Sequence, residues 1–306
     1  MTSAETPPRD PRELLARLDP ALAQAPIAPL GQGWDFHTYV VTHPTDAPLL
    51  LRISRCDDPD ERAREVAHDA AVLELVAGRV GLAVNRVVAS DAHEGVFLMT
   101  LVPGAAADVN PPRDLRLFGQ AMGAFLRELH AIPLVEAAAV ATVEPSPQVW
   151  RDQLTAGWAS VRDGLAERPG VEVRDRPDID AFLAFPVPEP PVELVLCHND
   201  LGEDHILLDA AGEVTGIIDW SDAVLGDPAR DLALLWFDFG ESVAEGAFTA
   251  YGCGPAGRGG DATLRERARW FAAIAGIGGV VHRAQHDDPG LAETVRRLRQ
   301  ILSVRV

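Results

Sequence analysis

Between residues 192 and 235, three short apolar runs each end in polar residues, and this stretch constrains the chain more than any other. The first run stops at Cys197 and passes at once into His198, Asn199 and Asp200. The second, Ile206–Leu208, turns at Asp209-Ala210-Ala211-Gly212, and the third, 214–218, delivers Asp219. Short apolar runs closed by an Asp/Gly turn read as strands and a hairpin. Such a hairpin brings Asp200, His205 and Asp219 to one end of a small sheet. A single Asp after a strand is an ordinary turn former, and a single His is an ordinary satisfied polar group. Two carboxylates and an imidazole at one sheet end instead suit a general base beside a divalent metal site.

The chain upstream changes texture near residue 103. Asp10-Pro11-Arg12-Glu13 supplies a cap, a first-turn proline and an acid for a short helix carrying Leu14, Leu15, Leu18 and Leu22. Gly31 and Gly33 lie between strand-like runs, where a missing side chain lets backbone approach a ligand. An ordinary hairpin explains them equally well. Residues 49–53 form a strand carrying Arg52, and 59–77 a helix with Val66, Ala70, Leu73 and Val76 on one face. Strands are expected at 87–89 and 96–102, after which Pro103-Gly104 ends the sheet. Beyond them Leu115, Phe118, Met122, Phe125, Leu126 and Leu129 recur at helical spacing, and helices are expected at 149–165, 179–185, 232–239, 243–251, 263–286 and 291–303.

With 27 basic and 46 acidic residues the net charge is −19, which disfavours nucleic acid and anionic membranes as partners and is compatible with a cationic substrate. No apolar run reaches membrane-spanning length. Cys56, Cys197 and Cys253 are odd in number and lack metal-ligand spacing, so reduced thiols and a cytoplasmic location are expected.

At the central motifs the chain resembles the aminoglycoside and macrolide phosphotransferases, distant relatives of the protein kinases. The family's catalytic loop, His-x-Asp followed by Asn or His five residues on, is matched by His198, Asp200 and His205. Its metal-binding Ile-Asp-Trp is matched by Ile218-Asp219-Trp220, and its Asp-Pro-x-x-Asp by Asp227, Pro228 and Asp231. The resemblance implies an α+β, two-lobed, kinase-like fold. The small β-rich nucleotide lobe would span 1–102 and the larger helical catalytic and acceptor lobe 103–306. It further implies transfer of the γ-phosphate of ATP or GTP to a hydroxyl of a small, antibiotic-like molecule, with no nucleic acid or membrane involved. Asp200 is then the catalytic base, and His205 and Asp219 hold Mg²⁺. Gly31, Gly33 and Arg52 face the phosphates, Asp69 pairs with Arg52, and Met99, Thr100 and Val102 line the base pocket at the interlobe hinge. Glu65, one turn before Asp69, is the competing partner for Arg52.

The acceptor is left open. Trp220 and Phe239-Gly240-Glu241 look like macrolide-modifying members, whereas His198-Asn199-Asp200 and Asp204-His205-Ile206-Leu207 look like aminoglycoside-modifying ones. A housekeeping small-molecule kinase and a metal-dependent hydrolase remain alternatives. The hydrolase would use the same His and Asp residues but would need neither the glycines nor Arg52.

Overall fold

Asp10 accepts the Arg12 N–H at 2.8 Å and so starts helix α1 (Pro11–Leu18), whose Leu14 and Leu15 are buried. The computed structural model describes residues 9–32, 35–43, 45–191, 193–252 and 261–303. These residues divide into two compact units, and the first ends at Gly104 but takes back Thr215–Ser221 from far along the chain. A single cut at residue 102 therefore differs from the observed division in that returning segment.

The first unit is an antiparallel sheet with helices. Strands β1 (Ile27–Gln32), β2 (Phe36–Val41), β3 (Leu49–Ser54), β4 (Val87–Asp91) and β5 (Val96–Thr100) are ordered β1-β2-β3-β5-β4. β3 sits centrally, its Leu51 facing Leu98 and its Arg52 facing Phe97 in register. Because side chains alternate across a strand, Leu51 and Ile53 point to one face, where they bury with Leu14, Leu15, Leu22, Val41, Val96 and Leu98. Arg52 points to the other. Helix α2 (Pro59–Val76) starts where the Asp58 carboxylate caps the N–H groups of Asp60 and Glu61, and it buries Val66, Asp69, Val72, Leu73 and Val76. The returning segment joins this unit through a parallel bridge between Gly216 and Ala83. A Cβ at Gly216 would lie 2.4 Å from the Ala83 carbonyl oxygen, so only glycine allows that approach.

The second unit is mostly helical, with two small antiparallel pairs. β6 (Ala105–Ala106) pairs with β8 (Ile206–Leu208), and β7 (Val195–Cys197) pairs with the strand Val224–Gly226. The helices are α3 (Leu115–Leu129), α4 (Leu134–Ala137), α5 (Pro147–Val161), α6 (Asp175–Ala184), α7 (Ala229–Phe239), α8 (Glu241–Tyr251), α9 (Leu264–Gln285) and α10 (Leu291–Ser303). α3 buries Phe118, Met122, Phe125, Leu126 and Leu129 of the stripe expected from its spacing, while Leu115, at its first position, is exposed. Gly119 and Gly123, also on its buried face, let α8 come unusually close. Cβ atoms there would lie 2.3 Å from the Val243 carbonyl oxygen and 2.2 Å from that of Ala247. Asp227 accepts the Ala229 N–H at 2.9 Å, opening α7, and pairs at 2.6 Å with buried Arg267 of α9. No described helix is long and apolar enough to cross a membrane.

Candidate active site

In the second unit β7 ends at buried Cys197, and the chain turns through Asn199, whose φ of 70° lies in the left-handed region. Asn tolerates that region better than most residues, though at a cost that surrounding contacts must offset. The contacts come from Asp231, fully buried in the first turn of α7. Its carboxylate accepts the His198 N–H at 3.0 Å and the Asn199 N–H at 2.8 Å. It also meets His130 Nε2 at 3.0 Å, while His130 Nδ1 lies 2.9 Å from the Tyr251 hydroxyl. Burial works against the Asp231 charge, yet the bond to His130 and the Asn199 N–H hold its carboxyl below the ordinary carboxylate range. His130, Cys197 and Asp231 sit close enough for a metal, but these bonds already engage both His130 nitrogens and both Asp231 oxygens. The cluster fastens the loop to α7.

That fastening presents Asp200. Its side chain is 47% exposed, and it opens onto a cleft of about 430 Å³ within the second unit, lined also by Asn199, Arg230, Trp150 and Phe271. His205 lies five residues on, its Nδ1 2.7 Å from the Asp200 carbonyl oxygen and 3.4 Å from its carboxylate. A carbonyl only accepts, so Nδ1 carries the proton and Nε2 is the nitrogen able to take a ligand in the neutral ring. Nε2 lies 3.6 Å from Asp204.

The first unit gathers a different set. Asp219, with φ of 62°, follows the strand Val214–Ile217 within the returning segment and meets Arg52 Nη2 at 3.2 and 3.4 Å. Arg52 also lies over the Phe36 ring, 4.3 Å from its centroid. The Ser221 hydroxyl sits 3.2 Å from Asp219 and 2.8 Å from Asp69. It has one proton for two carboxylates. Burial pushes the Asp69 carboxyl up to about 6 despite Ser221 and Arg52.

Neither expected partner pairs with Arg52: among the described residues its ion pair is with Asp219. Asp69 is engaged by Ser221, and Glu65 accepts from the Ser54 hydroxyl at 3.1 Å. The short Asp69 side chain reaches the intervening hydroxyl and stops there.

Near the end of β5 in the same unit, Met99 is 1% exposed and paired in register with Leu50 on one side and Val87 on the other. Thr100 is internally engaged: its N–H donates to the Arg86 carbonyl at 2.9 Å and its carbonyl accepts from Asn85 Nδ2 at 2.8 Å. The strand stops at Thr100 rather than at 102, leaving Leu101 and Val102 beyond the last ladder pair. Gly31 lies in β1 opposite Thr38, just after a register shift that begins at Pro29. Gly33 lies outside the described residues.

A model of the phosphotransferase enzyme family matches residues 26–271. The chain belongs to this family. An aminoglycoside 3'-phosphotransferase of Streptomyces ribosidificus is 32% identical over 206 residues, covering 63% of this chain and 76% of that protein. Among solved structures, the GDP complex of aminoglycoside 2'-phosphotransferase-IIIa is similar at a TM-score of 0.70 with 18% identity, over 95% of this chain and 97% of that one. The macrolide 2'-phosphotransferase MphH from Brachybacterium faecium is similar at a TM-score of 0.63 with 23% identity, over 96% and 98%. The kinase-like α+β fold expected from the motifs is thus the family's fold.

Within the family motif the roles of Asp227 and Asp231 became visible only in the structure: one holds α9 and the other the Asp200 loop. Two further residues escaped the sequence reading. Arg230 donates to Asn199 Oδ1 through Nε at 2.8 Å, across 31 positions of sequence. Nothing local announces such a contact. Ser221 did carry a signal, since a hydroxyl two residues from an Asp is within reach of its side chain.

Proposed function

We propose that the protein transfers the γ-phosphate of ATP or GTP to a hydroxyl of a small molecule, most simply an antibiotic, and so inactivates it. The observation carrying this reading is Asp200, a half-exposed carboxylate on a loop pinned to α7 and facing a cleft that can hold an acceptor. Asp200 accepts the acceptor hydroxyl's proton and aims its oxygen at the phosphorus. Acting together, the nucleotide unit's residues bind rather than react. Arg52 offers a planar cation to the α- and β-phosphates, and Gly31 in β1 allows the backbone to approach them. Met99 packs under the base, and the main chain at Val102, not that of Thr100, meets its edge.

The donor set fits a magnesium ion on one side better than on the other. Asp219 supplies carboxylate oxygens, which Mg²⁺ prefers, whereas His205 supplies only Nε2. When bound, Mg²⁺ neutralises phosphate charge. Asp219 would hold it, and His205 would contribute through orientation of the Asp200 loop as much as through ligation. Asp69 then acts on Asp219 through Ser221. The residues 1–102 with the returning segment form the nucleotide lobe and the remainder the acceptor lobe, in a cytoplasmic enzyme supplied with nucleotide.

The test is Asp200→Asn assayed with ATP and GTP against a panel of macrolides and aminoglycosides, scored by mass gain of one phosphate. Turnover should fall by about 10²-fold or more while Mg–nucleotide binding is kept. Near-normal turnover would remove Asp200 from the base role.

A further inference from the structure

The cleft beside Asp200 carries a chemical bias that the family alone does not set. Its walls are largely hydrocarbon, with Trp150, Leu154, Phe271, Ile274 and Val281 among the lining residues, and its charged groups among the described residues are Asp200 and Arg230. One carboxylate and one cation leave no set of acids for a substrate bearing several ammonium groups. The overall charge of −19 lies elsewhere on the chain.

Arg230 is held rigidly. Its guanidinium stacks over Trp150 at 3.5 Å and faces Phe271 at 5.2 Å. Nε and Nη2 both donate to Asn199 Oδ1, and Glu144 lies 3.4 Å from Nε. Among the described residues Nη1 has no hydrogen-bond acceptor. A fixed guanidinium with one open N–H edge is a receptor for a lone-pair oxygen, and a planar fork favours a carbonyl or carboxylate. It also repels an ammonium brought beside it.

Resting on the phosphotransferase reading, we propose that the acceptor is a hydroxyl compound with a mostly hydrocarbon body, at most one ammonium, and an oxygen acceptor group that docks on Arg230. A polyamine-like sugar is excluded by the same wall. The bound acceptor would lay its apolar body along Leu154 and Phe271 and present its hydroxyl to Asp200.

The experiment uses the full chain with Mg–ATP and Mg–GTP, erythromycin and kanamycin as probe acceptors, and product mass as readout. Expected are phosphorylation of erythromycin and none of kanamycin. The erythromycin KM should change less than about twofold between low and high salt, because an apolar contact is not screened. Leu154→Ala should raise that KM about 5- to 10-fold, by loss of buried hydrocarbon contact. Arg230→Lys, which keeps the charge but loses the fork, should raise it about 10-fold with nucleotide KM unmoved. If Arg230 only braces Asn199, kcat falls instead and the acceptor KM holds, which overturns its docking role. Phosphorylation of kanamycin with a KM rising steeply in salt overturns the inference and leaves the phosphotransferase reading standing. So does nucleotide binding, seen by calorimetry, with no binding or modification of erythromycin. Failure to bind either nucleotide sinks both.

Discussion

Arg52→Ala tests the proposed nucleotide role of the first unit most sharply, because the contacts Arg52 makes in the fold set a scale for what its loss costs in stability alone. In the fold it pairs with Asp219, a side chain 36% exposed, and lies over Phe36. A partly exposed ion pair contributes about 0–1 kcal/mol and a cation over an aromatic face about 0.5–1 kcal/mol. Losing both costs about 0.5–2 kcal/mol, or a fall in Tm of roughly 1–8 °C at this size. On phosphate, a charge-assisted hydrogen bond is worth about 1.5–3 kcal/mol, so nucleotide KM should rise roughly 10- to 100-fold. Acceptor KM should stay within about twofold, since the cleft proposed to take the acceptor is lined wholly by residues of the second unit. Arg52→Lys should restore most of the nucleotide affinity, as a point charge also serves phosphate, without restoring the full Tm. Steady-state kinetics with both substrates varied, alongside thermal melts, reads all of this. A normal nucleotide KM in Arg52→Ala, with Tm lowered, would show that Arg52 is structural only and refute the phosphate role.

Three further outcomes follow from the same structure. Burial, with Glu203 nearby, pushes the Asp238 carboxyl up to about 7 from 3.8 even with Arg297 at 2.9 Å. The group is protonated longer when folded, so its stabilising contribution is full below the unfolded value and lost as pH rises through about 7. Between about pH 6 and about pH 7.5 the wild type should lose about 1 kcal/mol that Asp238→Asn does not, and parallel melting curves would contradict this. Gly123→Ala, whose new Cβ would sit 2.2 Å from the Ala247 carbonyl oxygen, should cost about 1–3 kcal/mol by forcing α3 from α8, seen as a lowered Tm with KM values unchanged. Ser221→Ala removes the hydroxyl between Asp69 and Asp219 and should weaken Mg–nucleotide binding by calorimetry, though less than Asp219→Ala does.

Much of the architecture was legible because the hydrophobic period announces it. The helix expected at 59–77 is Pro59–Val76, and those at 263–286 and 291–303 are Leu264–Gln285 and Leu291–Ser303. Boundaries slipped where proline and charge blur the period: the helix expected at 149–165 is Pro147–Val161 followed by a separate 3₁₀ turn, and that at 179–185 begins at Asp175. The Asp200 loop could be located from spacing, but what fixes it could not. The bonds from Asp231 to His198 and Asn199 span more than 30 residues, and the Arg52–Asp219 contact spans 167. Which carboxylate Arg52 meets depends on the path of the chain between them, and helical spacing on α2 carries no information about it. Asp69 is buried, and the partner it meets is a serine that only tertiary structure brings near.

The segment Thr215–Ser221 packs with a sheet whose strands were all made much earlier in synthesis. On the ribosome the first unit therefore stays unfinished until residue 221 has emerged, with Ala83 awaiting its bridge to Gly216. Its missing piece also contains Asp219. A fragment cut at Gly104 cannot complete itself, and neither half of the chain can be inherited, exchanged or expressed as a working module without the other. Recombination between relatives should respect that covalent interlacing: viable crossovers will carry the first hundred residues and the returning segment from one parent.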